Sequence, residues 1–184
     1  VNTPWGKSDS KITLTRGISW VGTPSHGGFA ITPSAALTYL STAAVARAEK
    51  YGSYYFFEED CDASIVLFEL PAPMLEKLIY LPPTADNLLK DLSRWHADYL
   101  IERDITPDPE GLAFFEANRK QDAMRAQQHP DLIISASGDW ADWVPKGRVG
   151  VITADHKRYT VPAVEYTVKT LNLLSQHSDV QAVA

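Results

Sequence analysis

The amino-acid sequence predicts an α+β fold in a single domain spanning 1–184, with a small, mostly antiparallel sheet packed against four or five helices. Three observations predict it. Short runs of alternating apolar and polar residues open the chain, apolar residues at helical spacing fill its middle, and strand-like runs return near its end.

Lys11 to Thr15 and Ile18 to Gly22 read as two strands joined at Arg16-Gly17, because Ile12 and Leu14, then Ile18 and Trp20, alternate with polar neighbours. Thr23 to Gly28 is dense in Pro, Ser and Gly and reads as a turn, with Phe29 to Ile31 returning as a third strand. Thr32-Pro33 starts a helix, since Thr32 caps it and Pro33 suits the first helical position. That helix is expected to reach about Lys50, with Leu37, Leu40, Ala44 and Ala48 on one face and Gly52 as its stop. Tyr54 to Phe57 follows as a buried strand. Glu58 to Leu70 is read as a helix rather than a strand: Cys61, Ile65 and Phe68 fall at helical spacing, and carboxylates suit a helix N-terminus.

Pro71 and Pro82-Pro83 interrupt the chain. Thr84 or Asp86 then caps a helix to about Arg103, with Leu88, Leu92, Trp95 and Tyr99 as its buried stripe. Pro107-Asp108-Pro109 starts another helix, ending near His129-Pro130, with Leu112, Phe115 and Met124 facing inward. Leu132 to Ala136 reads as a buried strand and Gly138 to Pro145 as a loop carrying Trp140 and Trp143. Arg148 to Ile152 and Arg158 to Val161 form a hairpin around Ala154-Asp155-His156-Lys157. Residues 175–184 lose their apolar pattern and are expected to fray.

Composition narrows the function classes. The chain is 45% hydrophobic and 22% charged, ordinary for a globular protein. At 184 residues it can bury a sizeable core without a disulfide or metal staple. Its lone cysteine, Cys61, forms no internal disulfide, and no apolar run reaches membrane-spanning length, so the cytoplasm is the expected compartment. Seventeen basic residues against 23 acidic ones give a charge of -6, which argues against direct nucleic-acid binding through a broad basic face.

Two segments could carry chemistry. In Ser25-His26-Gly27-Gly28 the glycines let the backbone turn tightly and approach a ligand, and His26 has the right chemistry for a general base near neutral pH. The alternative is a plain hairpin turn. In Glu58-Glu59-Asp60-Cys61-Asp62, four carboxylates raise a thiol pKa while a helix N-terminus lowers it, so the net direction is open. Cys61 is a small core residue in one reading and a nucleophile with His26 as its base in another; Glu58 or Glu59 as acid or base is a third. The candidate catalytic residues are thus His26, Glu59 and Cys61. Candidate binding residues are Ser25, Gly27, Gly28, Glu58 and Asp60, with Trp140 and Trp143 as aromatic contacts beside Asp139 and Asp142. No paired-cysteine spacing and no HExxH helix is present, and His96, His129, His156 and His177 are scattered, with His96 placed on the surface. No metal or cofactor is expected.

Thr3-Pro4-Trp5-Gly6, Ser25-His26-Gly27-Gly28-Phe29, Glu58-Glu59-Asp60-Cys61-Asp62 and Val161-Pro162-Ala163-Val164-Glu165-Tyr166 resemble, in this order, segments of a bacterial family, domain of unknown function 7007. One departure is Ala63, where that family tends to carry tryptophan. The Gly27-Gly28-Phe29 run is also similar to a segment of plasmid antirestriction proteins. The resemblance implies a setting: accessory proteins of plasmids, phages and integrative elements, among which small acidic proteins often block host restriction or CRISPR machinery. The resulting expectation is a counter-defence protein that binds a host defence complex, with a protein partner and no membrane. The alternative is an enzyme, a hydrolase or group transferase using His26 with Cys61 or Glu59. His26 and the acidic segment are expected to be neighbours in space.

Overall fold

The computed structural model describes residues 1–78 and 84–183, and the Pro82-Pro83 break lies outside them. The fold is α+β. The described residues carry three sheets rather than one and fall into two compact units, Val1–Phe115 and Glu116–Ala184.

The first unit begins with a two-stranded ribbon, β1 (Asn2–Thr3) and β2 (Gly6–Lys7), whose turn carries Trp5. Next come β3 (Ser10–Thr15) and β4 (Ile18–Gly22), expected from their alternating pattern, and β5 (Gly27–Ile31), which takes in Gly27 and Gly28 where the sequence had placed them in the turn. With β6 (Glu49–Tyr51) and β7 (Tyr54–Glu58) they form a five-stranded antiparallel sheet in the order β3-β4-β5-β7-β6. The central strand β5 is buried along its whole length. On one face, Phe29, Ile31 and Phe57 join Ile18, Ile65, Leu92, Tyr99 and Leu100 in the main core. The alternate residues Ala30 and Phe56 pack with Val21, Trp5 and Tyr54. The two faces follow from the two-residue period of a strand.

The helices on the main core are shorter than the sequence suggested. Thr32 caps α1 (Pro33–Tyr39) through its side chain as expected, but the helix stops at Leu40, which is extended. Ser41 then caps α2 (Thr42–Val45), and Glu49 to Tyr51 is strand rather than helix, so Gly52 turns a hairpin instead of ending a helix. The break rotates the expected apolar face, and Leu37 is 85% exposed. The reason is tertiary. Glu69, at the end of α3 (Ala63–Glu69), accepts hydrogen bonds from the Ser41 amide and hydroxyl, both at 2.5 Å, and from the Tyr99 hydroxyl at 2.6 Å, and pairs with Arg103. With its side chain only 5% exposed, this carboxylate needs those donors, and one of them is an amide that a continuous helix would have used itself. Burial and the Glu69 carboxylate together push the Tyr99 hydroxyl pKa upward.

After α4 (Ala72–Leu75), Thr84 caps α5 (Ala85–Trp95). The expected helix to Arg103 breaks at His96 into α5 and α6 (Ala97–Glu102). Leu88, Leu92 and Tyr99 are buried, but the break turns Trp95 outward, 41% exposed, against Phe114 and Arg94. Asp108 receives the Gly111 amide at the start of α7 (Pro109–Ala126). Leu112, Phe115 and Met124 of α7 are half-buried rather than core.

The second unit has the sheet order β11-β10-β9-β8, from β8 (Ile133–Ser137), β9 (Arg148–Thr153), β10 (Arg158–Pro162) and β11 (Gln181–Val183). The hairpin around Ala154 to Lys157 is present. β8 is an edge strand with Ser135 and Ala136 exposed, not a buried one. Within the tail expected to fray, Gln181–Val183 form β11 and pair with β10, and Arg148 bonds Asp179. Among the described residues, no helix is long and apolar enough to cross a membrane.

Leu92 lies wholly inside the first unit, so Leu92→Ala is expected to cost about 2–5 kcal/mol. Leu37→Ser should change stability by less than about 0.5 kcal/mol, because its side chain is already in water. Chemical melts of both variants check the pair.

Candidate functional site

The site begins with backbone register. β5 and β7 pair with Gly28 opposite Glu58, and the pairing continues outward as the Glu59 amide donates to the Gly27 carbonyl at 2.9 Å. This brings the β4–β5 turn against the end of β7, joining segments that are 32 residues apart. The turn is fixed by Thr23, whose amide and hydroxyl both donate to the His26 carbonyl and whose hydroxyl accepts from the His26 amide.

His26 Nδ1 lies 3.2 Å from Glu58 Oε1. Glu58 is therefore the imidazole's partner, where the sequence had offered Glu59 and Cys61 as its co-workers. Glu59 is close as well: ligand atoms of His26, Glu58 and Glu59 all lie within 4.8 Å of one another. The two glycines make the approach feasible by sterics rather than flexibility. A side chain at Gly27 would overlap the Glu59 carboxylate, and one at Gly28 would overlap the Phe57 carbonyl and the Trp5 ring. Trp5 stacks edge-on against Phe56 and stands 6.4 Å from the His26 ring. Sequence reasoning did not name Trp5 as a site residue, although Thr3-Pro4-Trp5-Gly6 was among the resembling segments.

The acidic segment is a turn, not the first turn of a helix as expected; α3 begins only at Ala63, which fills a buried core position. Within the turn Glu58 receives the Asp60 amide at 2.8 Å and a long contact from the Cys61 thiol at 3.9 Å. Ser64 bonds the Cys61 carbonyl. Cys61 is half-buried and lies ahead of the apolar stripe rather than on it. Burial first, then the charges of Asp62 and Glu58, push its thiol up to about 11. The direction left open by the sequence is thus upward, because burial and the two carboxylates outweigh the opposing hydrogen bond from the Asp62 backbone. Asp62 lies 3.1 Å from His96 Nε2. The contact is one of distance only, since the nitrogen makes no hydrogen bond. His96 is not the surface residue expected: its side chain is 13% exposed, at the break between α5 and α6.

The remaining candidates fall elsewhere. Ser25 and Asp60 are exposed beside the cluster. Trp140 and Trp143 belong to the second unit, Trp140 being 78% exposed and Trp143 lying under Arg158 and against Gly150.

Comparison with known proteins gives one finding. The family model described as domain of unknown function (DUF7007) matches residues 1–128. The match contains Trp5, His26 and Glu58 to Asp62, and the Val161 to Tyr166 segment lies beyond it. No curated protein and no solved structure matches the chain.

With its pKa raised from 9.0 to about 11, the Cys61 thiol has about 100-fold less thiolate near neutrality. Labelling by a disulfide reagent at pH 7.5, an ordinary assay condition taken as about neutral, should be slower than that of an unstructured cysteine peptide by about the same factor. A folded pKa above the unfolded one contributes stability that is complete below pH 9.0 and lost as pH rises through about 11. Urea melts across that window should therefore show a steeper decline in the parent than in Cys61→Ser, whose remaining decline includes that of the buried Tyr99 hydroxyl. Rapid labelling of the native protein would contradict the assignment.

Proposed function

The chain belongs to the family of the domain of unknown function DUF7007, and from that premise we propose that it is a mobile-element accessory protein that inhibits a host defence complex, of the restriction or CRISPR kind, by binding it in the bacterial cytoplasm. One observation carries the reading. The Glu58 to Asp62 turn presents the exposed carboxylates Glu59 and Asp60 on a backbone already pinned by the Glu59–Gly27, Asp60–Glu58 and Ser64–Cys61 hydrogen bonds. An anionic surface ordered in advance loses little entropy on binding and steers toward a basic one. Proteins that handle nucleic acid carry such basic surfaces for the phosphate backbone. The chain's charge of -6 favours the same complementarity.

A second reading is supported by the proximity of His26, Glu58 and Glu59. It is an enzyme, a hydrolase or group transferase, in which His26 and Glu59 exchange a proton with substrate. A Cys61 nucleophile fits this reading poorly, because the thiol is held protonated. The two readings separate in one experiment. Affinity capture from bacterial host cells, followed by reconstitution with the captured complex, should give a stoichiometric nuclease assembly whose activity falls on binding. Glu59→Lys with Asp60→Lys should weaken that binding by about tenfold or more, with marked salt dependence. Capture unaffected by the double reversal, or the absence of a stoichiometric partner, contradicts the binding reading. Turnover lost in His26→Gln with capture intact favours the enzyme.

A further inference from the structure

We propose that His26, Glu58 and Glu59 form a binding site for a divalent transition-metal ion of the zinc or manganese class. The proposal does not require the partner reading above, although both use the same β5–β7 juxtaposition. Its basis is a mixed donor set that the β5–β7 register assembles from two distant segments: one imidazole nitrogen and two carboxylate oxygens within 4.8 Å of one another. An ion bound by nitrogen and oxygen at about 2.0–2.1 Å in tetrahedral geometry spaces its ligand atoms about 3.3–3.4 Å apart. His26 Nδ1 and Glu58 Oε1, at 3.2 Å, already have that spacing. Glu59, within 4.8 Å of the other two, has to close by at most about 1.5 Å, within reach of a side-chain rotation in an exposed residue.

The neighbours favour this arrangement. Glu58 is held from behind by the Asp60 amide on its other oxygen, Oε2, which leaves Oε1 facing His26. Gly27 leaves room for the Glu59 carboxylate, and Trp5 lines the His26 side with an apolar ring. An apolar wall limits water access and strengthens coordination at an exposed rim. The imidazole decides the class of ion: neutral nitrogen suits zinc, iron, nickel or copper, and carboxylates extend the range to manganese, whereas magnesium and calcium prefer oxygen alone. On binding, the hydrogen on Nδ1 leaves that atom, by tautomer exchange to Nε2 or, from an imidazolium, to solvent, and the freed lone pair takes the ion. Three protein donors leave a further coordination position for water.

The test is calorimetric titration of the tag-free, chelator-washed protein with zinc, manganese and magnesium chlorides, paired with thermal melts. The expected result is saturable binding of one zinc or manganese ion per chain, with a melting-temperature rise of about 3–5 °C at roughly tenfold excess over the dissociation constant. His26→Ala and Glu59→Gln should each weaken the binding by at least about tenfold while the ion-free melting temperature stays near that of the parent. Both side chains are exposed, so a folding failure in one variant leaves the other as the reading. His156→Ala, in the second unit, should change nothing. Absence of saturable zinc or manganese binding overturns the proposal. So does binding that survives both site variants, or magnesium binding as tight as zinc, which would mark general screening of acidic groups.

Discussion

The register of β5 on β7, with Gly28 opposite Glu58, is the constraint on which the site depends. It buries Phe29 and Phe57 in the main core and Ala30 and Phe56 beneath Trp5. The same alternation sets Glu58 beside Trp5 and His26, because residues two apart on a strand share a face. A slip of one residue would turn Glu58 to the opposite face and exchange the phenylalanines between two differently shaped cores, Phe56 into the main one and Phe57 beneath Trp5. Burial of large apolar side chains on both faces therefore fixes the position of two polar side chains at the strand ends. His26 and Glu58 need contribute little stability of their own, which suits a pair at a solvent-facing rim.

Glu69 plays the matching role on the helical side. Its buried carboxylate collects the Ser41 amide and hydroxyl, the Tyr99 hydroxyl and Arg103, tying the end of α3 to the start of α2 and to the α6 region. Such a node costs desolvation that only full hydrogen bonding offsets, and it selects one arrangement of the short helices over others. Asp62 also lies 3.1 Å from His96, which places the turn before α3 beside the break between α5 and α6. The acidic turn is thus fixed by strand register at Glu58 and lies beside the helical layer at Asp62.

Local chemistry in the sequence was enough to locate β3, β4, most of β5 and β7 and the cap at Thr32, and to narrow the next cap to Thr84 or Asp86, because alternation and capping act between near neighbours. The breaks were illegible for the opposite reason. Ser41 ends one helix and starts another because of Glu69, 28 residues away, and nothing around Ser41 announces that partner. Leu37 and Trp95 fit helical stripes until a break rotates them out. β11 is a tail of modest apolar character whose place comes from pairing with β10. In the site, Ser25 to Gly28 and Glu58 to Asp62 stood out by composition, and their meeting was expected. The choice of Glu58 over Glu59 as the partner of His26 depends on strand parity, and Trp5 enters only through the tertiary packing of the β1–β2 turn.

The binding and metal readings both draw on the same juxtaposition, so the register itself is the claim to measure. Long-range nuclear Overhauser contacts in the isotope-labelled protein do this directly. The account predicts backbone contacts of Gly28 with Glu58, together with side-chain contacts of His26 with Glu58 and of Trp5 with Gly28. Contacts of Gly28 with Phe57 or Glu59 as its cross-strand partner, and a His26 ring remote from Glu58, would contradict it.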